Sequence, residues 1–201
     1  MSTQPKTFLT PEQYIEIERG AECKSEYFQG EMFAMAGAGW VHNRIVANLI
    51  GRLYRQPRPS SCQVCPSDMR VRVRATGLYT YPDVVVVCGE PQFLDERRDT
   101  LLNPSVLIEV LSPSTEAYDR GRKSAHYRSL ESLREYLLVA SDHVQAELYT
   151  RQPDGRWLLT FADRLEDSLD LQSVGCRLAL ADLYERIDLP GFQPATAEPS
   201  L

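Results

Sequence analysis

The run Tyr81-Pro-Asp-Val-Val-Val-Val-Cys-Gly-Glu90 constrains the fold more than any other stretch of the chain. Four consecutive β-branched residues, Val84 to Val87, ended by Gly89, leave no polar face, and such a strand is stable where both faces of its sheet are covered. Strands of this kind among helical segments read as an α/β fold. A second run, Pro104-Ser-Val-Leu-Ile-Glu-Val-Leu-Ser112, has the same character with one acid, Glu109, in its middle. Asp83 stands at the entrance of the first. A carboxylate in such surroundings is expensive unless a cation holds it, so these two acids are the leading functional candidates.

The flanking segments supply the cover. Thr10 as N-cap, Pro11 at the first helical position and Gly20 at the end predict a short helix. "SEYFQGEMFAMAG" reads as a β-hairpin around Gln29-Gly30, and "WVHNRIVANLIGRLYR" as a helix with Val41, Ile45, Leu49 and Leu53 on one stripe, widened by Val46 and Ile50. "CQVCPSDMRVRVRA" alternates, which predicts one half-exposed strand with Met69, Val71 and Val73 facing one way and Arg70, Arg72 and Arg74 the other. A helix over "STEAYDRGRKSAHYRSL", capped by Ser114 or Thr115, precedes a strand "EYLLVAS". A hairpin turning at Asp154-Gly155 and a short helix around "LALADLYERI" complete a single domain over residues 8–189, between flexible termini 1–7 and 190–201.

The formal charge of −6 argues against a protein coated in nucleic-acid-binding surface, but the distribution is uneven. Between Arg44 and Arg74 lie seven arginines against the single acid Asp68, so the middle of the chain can face a polyanion. The stripe Arg70, Arg72, Arg74 is either a phosphate-holding surface or a solvated strand face. Five cysteines, an odd number in a chain too large to need stapling, predict reduced thiols. "CQVC" lacks the second ligand pair that structural zinc requires and lies in a strand, which disfavours zinc or redox chemistry. With no apolar leader and no membrane-length run, the expected location is cytoplasmic.

Taken in order, helix, three strands, helix and strand, with acids in the second and third strands and Lys123 in the following helix, the chain resembles the PD-(D/E)xK nuclease superfamily, and more closely its Uma2 branch. "KSEYFQGEMFAMAG", a histidine on the next helix, "YPDVVVV", "PSVLIEVLSPSTEAYDRGRKSAHYRS" and "EYLLV" carry the resemblance across roughly residues 8 to 188. It implies an α/β fold with a restriction-endonuclease-like core, αβββαβ, a mixed central sheet flanked by helices, with an added N-terminal β-hairpin and a C-terminal hairpin plus helix. It also implies Asp83 and Glu109 as ligands of Mg²⁺ or Mn²⁺, with the backbone carbonyl of Val110 as a further ligand. Hard divalent cations take such oxygen donors. The superfamily's plain motif would place a lysine two residues after Glu109, where this chain has Leu111. In Uma2-like proteins the following helix supplies it, which implies Lys123 as the group that orients the attacking water.

Each residue also has a plain structural reading. Asp83 after Pro82 fits a solvated strand start, Glu109 a buried partner of an arginine, and Lys123 an exposed helix pair with Asp119 worth a few tenths of a kcal/mol. Glu31 is either a metal-linked acid or a solvated hairpin charge. His42 is suited to binding phosphate, moving a proton or capping local structure, and Tyr127 to packing. The expected function is a Mg²⁺-dependent endonuclease acting on DNA, as a homodimer if both strands of a duplex are cut. The alternatives are a nuclease fold kept as a protein- or nucleic-acid-binding scaffold, and hydrolysis of a small phosphoester.

Overall fold

A computed structural model describes residues 8–56, 59 and 61–189. The termini predicted as flexible, 1–7 and 190–201, lie outside the described residues. Helix α1 (Pro11–Gly20) starts with the expected cap: the Thr10 hydroxyl accepts from the Gln13 amide while the Gln13 side chain accepts from the Thr10 amide. Strands β1 (Ser25–Phe28) and β2 (Glu31–Ala34) form the hairpin, with Gln29 and Gly30 both at positive φ, as a two-residue turn between twisted strands requires. Helix α2 (Trp40–Arg55) buries Ile45, Leu49 and Leu53.

Further along come β3 (Cys62–Pro66), β4 (Arg70–Val73), β5 (Leu78–Thr80), β6 (Val84–Cys88), β7 (Thr100–Leu101) and β8 (Val106–Leu111). Helical residues follow as α3 (Glu116–Tyr118), a π-helical turn (Asp119–Lys123) and α4 (Ser124–Arg128). The remainder is β9 (Glu135–Ala140), β10 (Ala146–Arg151), β11 (Trp157–Ala162), β12 (Ser168–Leu171), β13 (Cys176–Ala179) and α5 (Leu180–Leu183).

Two mixed sheets result. One has the order β11-β10-β9-β8-β6-β3, with β8 and β9 parallel and the other pairs antiparallel; the second has the order β2-β1-β5-β4-β7. The valine run explains itself in the six-stranded sheet. Val84 and Val86 enter the core formed with α2, α5 and the β12-β13 hairpin, while Val85 and Val87 enter the opposite core with Tyr127, Tyr136 and the valines of β4. Among the described residues no helix is long and apolar enough to cross a membrane.

Three expectations are corrected. Residues 62–75 are two strands in different sheets: β3 pairs with β6 and β4 with β5 and β7. The chain turns between them, with the Met69 amide on the Pro66 carbonyl at 3.1 Å. Because β4 lies between covered faces, Arg70 points inward and is buried, its guanidinium donating to Thr100 Oγ1 at 2.9 Å and Tyr81 Oη at 2.8 Å and pairing with Asp99. The three arginines are therefore not one solvated stripe; Arg72 is half-buried over the Tyr79 ring and Arg74 is exposed. The thiols are not all reduced either, because Cys62 is disulfide-bonded to Cys88. These residues are directly opposite across β3 and β6, and the Gly89 amide bonds to the Ser61 carbonyl just outside them. That makes them a non-hydrogen-bonded pair, the position where facing side chains come closest.

Candidate active site

The end of β8 carries the site. Glu109 projects from β8 into the same layer as Leu138 of β9, and β6 stops pairing at Val84, opposite Ile108. Beyond that point Asp83 takes over the role of a neighbouring strand, accepting the Val110 amide on Oδ2 at 2.8 Å. Since a residue's N–H and C=O leave an extended strand on the same side, the Val110 carbonyl is on the Asp83 edge. His42, in the first turn of α2, places Nε2 3.1 Å from the same Asp83 oxygen. The carboxylate accepts, so Nε2 carries the hydrogen; the buried Nδ1 has no partner among the described residues.

Lys123 comes in from the helix. Its Nζ lies 2.9 Å from Glu109 Oε1, 3.3 Å from Asp119 Oδ1 and 3.3 Å from Glu26 Oε1, and all four residues are buried. The Tyr127 hydroxyl donates to Glu109 Oε1 at 2.7 Å, and Glu26, on β1, accepts from Tyr118 at 2.9 Å and from Thr80. Leu111, at the position where a strand lysine would stand, is buried in the core beside Tyr127. The helix bends to this task through its π-helical turn, whose wider loop appears preferentially at functional sites.

Three carboxyl groups around one ammonium leave an excess of negative charge in a dry place. Burial pushes the Glu109 carboxyl up to about 8 despite the opposing pull of Lys123, with Asp119 and Asp83 adding to the rise. Burial also raises Asp119, against Lys123. For Lys123 burial pulls downward, but Glu109, Glu26 and Asp119 together outweigh it and hold the ammonium well above its ordinary range. Burial thus favours protonation of the cluster's carboxyls, while Lys123 stays charged.

The sequence of the Uma2 family, described as "Putative restriction endonuclease", matches residues 11–181. The chain belongs to the Uma2 family. Two proteins of Synechocystis sp. (strain ATCC 27184 / PCC 6803 / Kazusa) are similar to it. "Uncharacterized protein slr1290" is 37% identical over 178 residues, 88% of this chain and 91% of that one. "Uncharacterized protein sll1609" is 38% identical over 152 residues, 76% of this chain and 86% of that one. The fold matches "a putative nuclease belonging to DUF820" from Anabaena variabilis ATCC 29413, with a TM-score of 0.65 at 17% identity, over 88% of this chain and 97% of the other.

Within this Uma2 protein, Asp83, His42 and Val110 meet at one edge, and Glu109 and Lys123 meet just inside it. Glu31 opens β2 opposite Phe28, beside the hairpin turn; the hairpin acid that reaches Lys123 is Glu26. Sequence reasoning missed Glu26 and treated Asp119 as a solvated helix partner. The available signal for Glu26 was an acid in the middle of the "KSEYF" strand, flanked by residues that face the other way. Tyr127 packs as expected and also bonds Glu109.

Proposed function

We propose that this Uma2 protein is a Mg²⁺-dependent endonuclease on a restriction-endonuclease-like core, hydrolysing phosphodiester bonds of DNA. The observation that carries the reading is the Lys123 ammonium, delivered by the helix to within 2.9 Å of Glu109 while Leu111 fills the strand position with hydrocarbon. The donor set fits a hard divalent ion: Asp83, Glu109 and the Val110 carbonyl would hold it, and Mg²⁺ keeps waters in its remaining positions. Such an ion supplies Lewis-acid polarisation of a phosphoryl oxygen and acidifies water.

The chain's own groups do the rest. His42 fixes the Asp83 carboxylate through Nε2–H, and the Val110 amide fixes the same oxygen from the other side. Tyr127 orients Glu109. Lys123, held by Glu26 and Asp119 as well as Glu109, is positioned to donate to the attacking water and to offset charge building on the phosphate.

A second reading, a non-catalytic nucleic-acid- or protein-binding scaffold, is favoured by one observation: Glu109 and Lys123 are nearly inaccessible and already satisfy each other. Incubating the purified protein with supercoiled plasmid and single-stranded DNA, in Mg²⁺, Mn²⁺ or EDTA, separates the two. Nicking that requires the ion and vanishes in Asp83→Asn and Glu109→Gln supports the nuclease. DNA retained on a gel-shift but uncut in every condition supports the scaffold.

A further inference from the structure

The two faces of the five-stranded sheet have different neighbours. Adjacent residues of a strand point to opposite sides. Glu26 of β1 and Thr80 of β5 bond each other on the Lys123 side, whereas Tyr27 and Tyr79 face helix α1 and pack with Tyr14. On this second side, away from the Glu109–Lys123 cluster, α1, β4, β5 and the loop around Asp95 enclose a cleft of about 540 Å³. Small-molecule sites commonly measure roughly 300–1,000 Å³.

The cleft is braced before anything enters it. Arg19, at the end of α1, donates from Nε to Asp99 Oδ2 at 2.7 Å and from a terminal nitrogen to Asp95 Oδ2 at 2.7 Å, which latches the loop to the helix. Asp99 also pairs with the buried Arg70. A wall held in this way needs little further ordering when a ligand binds. Arg19 and Asp95 already satisfy each other, so recognition falls to the other charges of the lining.

Those charges are separated by sign. Glu12 and Glu16, one turn apart, belong to α1, while Arg72 comes from β4 and Arg97 from the loop. Among the described residues none of the four is in an ion pair. Glu12 is held below the ordinary carboxyl range by hydrogen bonds from its own amide and from Thr10, with Arg72 adding a smaller pull through space. The Arg72 guanidinium lies over the Tyr79 ring, 5.2 Å from the centroid. Its Nε is buried without a partner, which leaves the two terminal nitrogens as the donors a ligand can reach. Ile15 and Leu94 add apolar surface.

The four free charges cancel in sum but stand on opposed walls. A phosphate or a mononucleotide would bring its negative charge before two carboxylates, and a cation would meet two guanidiniums. We propose that this cleft binds a small zwitterion of the α-amino-acid class, its carboxylate on Arg72 and Arg97, its ammonium on Glu12 and Glu16, and an apolar side chain against Ile15 and Leu94. Arginine forks suit carboxylates, and charge-assisted hydrogen bonds of this kind are the strong ones. A free amino acid and a dipeptide share this chemistry. The site lies on the other face of the sheet from the proposed nuclease centre and does not rest on that reading.

Titration calorimetry on the full chain, without metal, tests the match. The probes are leucine, the dipeptide leucyl-leucine, N-acetyl-leucine, leucinamide and AMP. At least one of the two zwitterions is expected to bind with a Kd between about 10 μM and 1 mM, and the tighter of them identifies the source. N-acetyl-leucine lacks the ammonium and leucinamide the carboxylate, so each is expected to bind at least about tenfold more weakly than leucine. Glu12→Gln combined with Glu16→Gln changes two exposed residues. That variant should stay folded by circular dichroism and bind at least about tenfold more weakly. Arg72→Met, which keeps a stem over Tyr79, should do the same; if it does not fold, Arg97→Gln at an exposed position carries the cationic side of the test. No heat from either zwitterion at about 10 mM, blocked forms or AMP that bind as well as the zwitterions, or neutralised variants that bind like wild type, overturns the proposal.

Discussion

Removing the charge of Lys123 while keeping its stem, as in Lys123→Met, should expose how the buried cluster is balanced. The ammonium lies 2.9 Å from Glu109 and 3.3 Å from both Glu26 and Asp119, with side-chain exposures of 5 to 10% among the three acids. Breaking a buried ion pair from one side costs about 3–5 kcal/mol, because the remaining charge is uncompensated. Here the acids can escape by taking up protons. The Glu109 carboxyl is already raised from 4.5 to about 8, and Asp119 is raised too, so the folded state holds protons that the unfolded chain releases. Stability contributed by raised carboxyls is present at low pH and lost as pH climbs from the unfolded value through the folded one. With one more proton bound in the folded variant than in wild type, the destabilisation should grow by about 1.4 kcal/mol per pH unit. Urea unfolding at pH 6 and pH 8.5 measures both. The expected loss is about 3–5 kcal/mol at pH 8.5 and clearly less at pH 6. A loss below about 1 kcal/mol at pH 8.5, the range of an exposed helix pair, or a loss independent of pH, would refute the buried-cluster account.

Isothermal titration of Mn²⁺ should lose its heat in Asp83→Asn and Glu109→Gln alike. In wild type the affinity should rise roughly tenfold per unit between pH 6 and 8, because Glu109 must give up its proton to bind; a flat profile would remove Glu109 from the ligand set. Glu109→Gln should also match or exceed the wild-type melting temperature at pH 8, where the native carboxyl is costly to ionise, and a fall of several degrees would contradict that cost. Denatured without reductant, the protein should titrate three thiols and not five, since Cys62 and Cys88 are joined. Reduction should lower stability by about 3 kcal/mol through the freed loop, and five free thiols would show the bond absent.

Local pattern was legible wherever the period was long or the punctuation strong. Helix α2 could be read from Val41, Ile45, Leu49 and Leu53, and the two hairpins from Gln29-Gly30 and Asp154-Gly155. What failed was the assignment of strands to sheets. Val71 and Val73 alternate with arginines as a half-exposed strand would, but β4 is covered on both faces, and no local signal tells Arg70 that Thr100 and Tyr81 will receive it. The Cys62–Cys88 bond depends on register across two strands, which sequence spacing does not encode. In the site, Asp83, Glu109 and Lys123 stand out because an acid in an apolar strand and a lysine after it are local anomalies. Glu26 does not, because its meaning comes from Lys123, at the far side of the chain's path. Asp119 was visible as the residue one turn before Lys123, but burial, which turns a weak surface pair into part of the cluster, is a tertiary property.

The π-helical turn at Asp119–Lys123 has a consequence for what lengths this segment tolerates. An α-helix advances about 100° per residue, and a π-turn absorbs one residue more than an α-turn, so the helix on either side is out of step by about that angle. Towards its start, Arg120 pairs with Glu116 one turn back and with Glu147 of β10; towards its end, Lys123 and Tyr127 are directed to Glu109 of β8. One continuous helix thereby serves two strands of the sheet that an uninterrupted spiral would not serve at once. Shortening the segment by a single residue, even at Gly121 where no side chain is lost, would restore the regular spiral and swing Lys123 about a quarter turn off Glu109. The number of residues here is as much a part of the site as their identity.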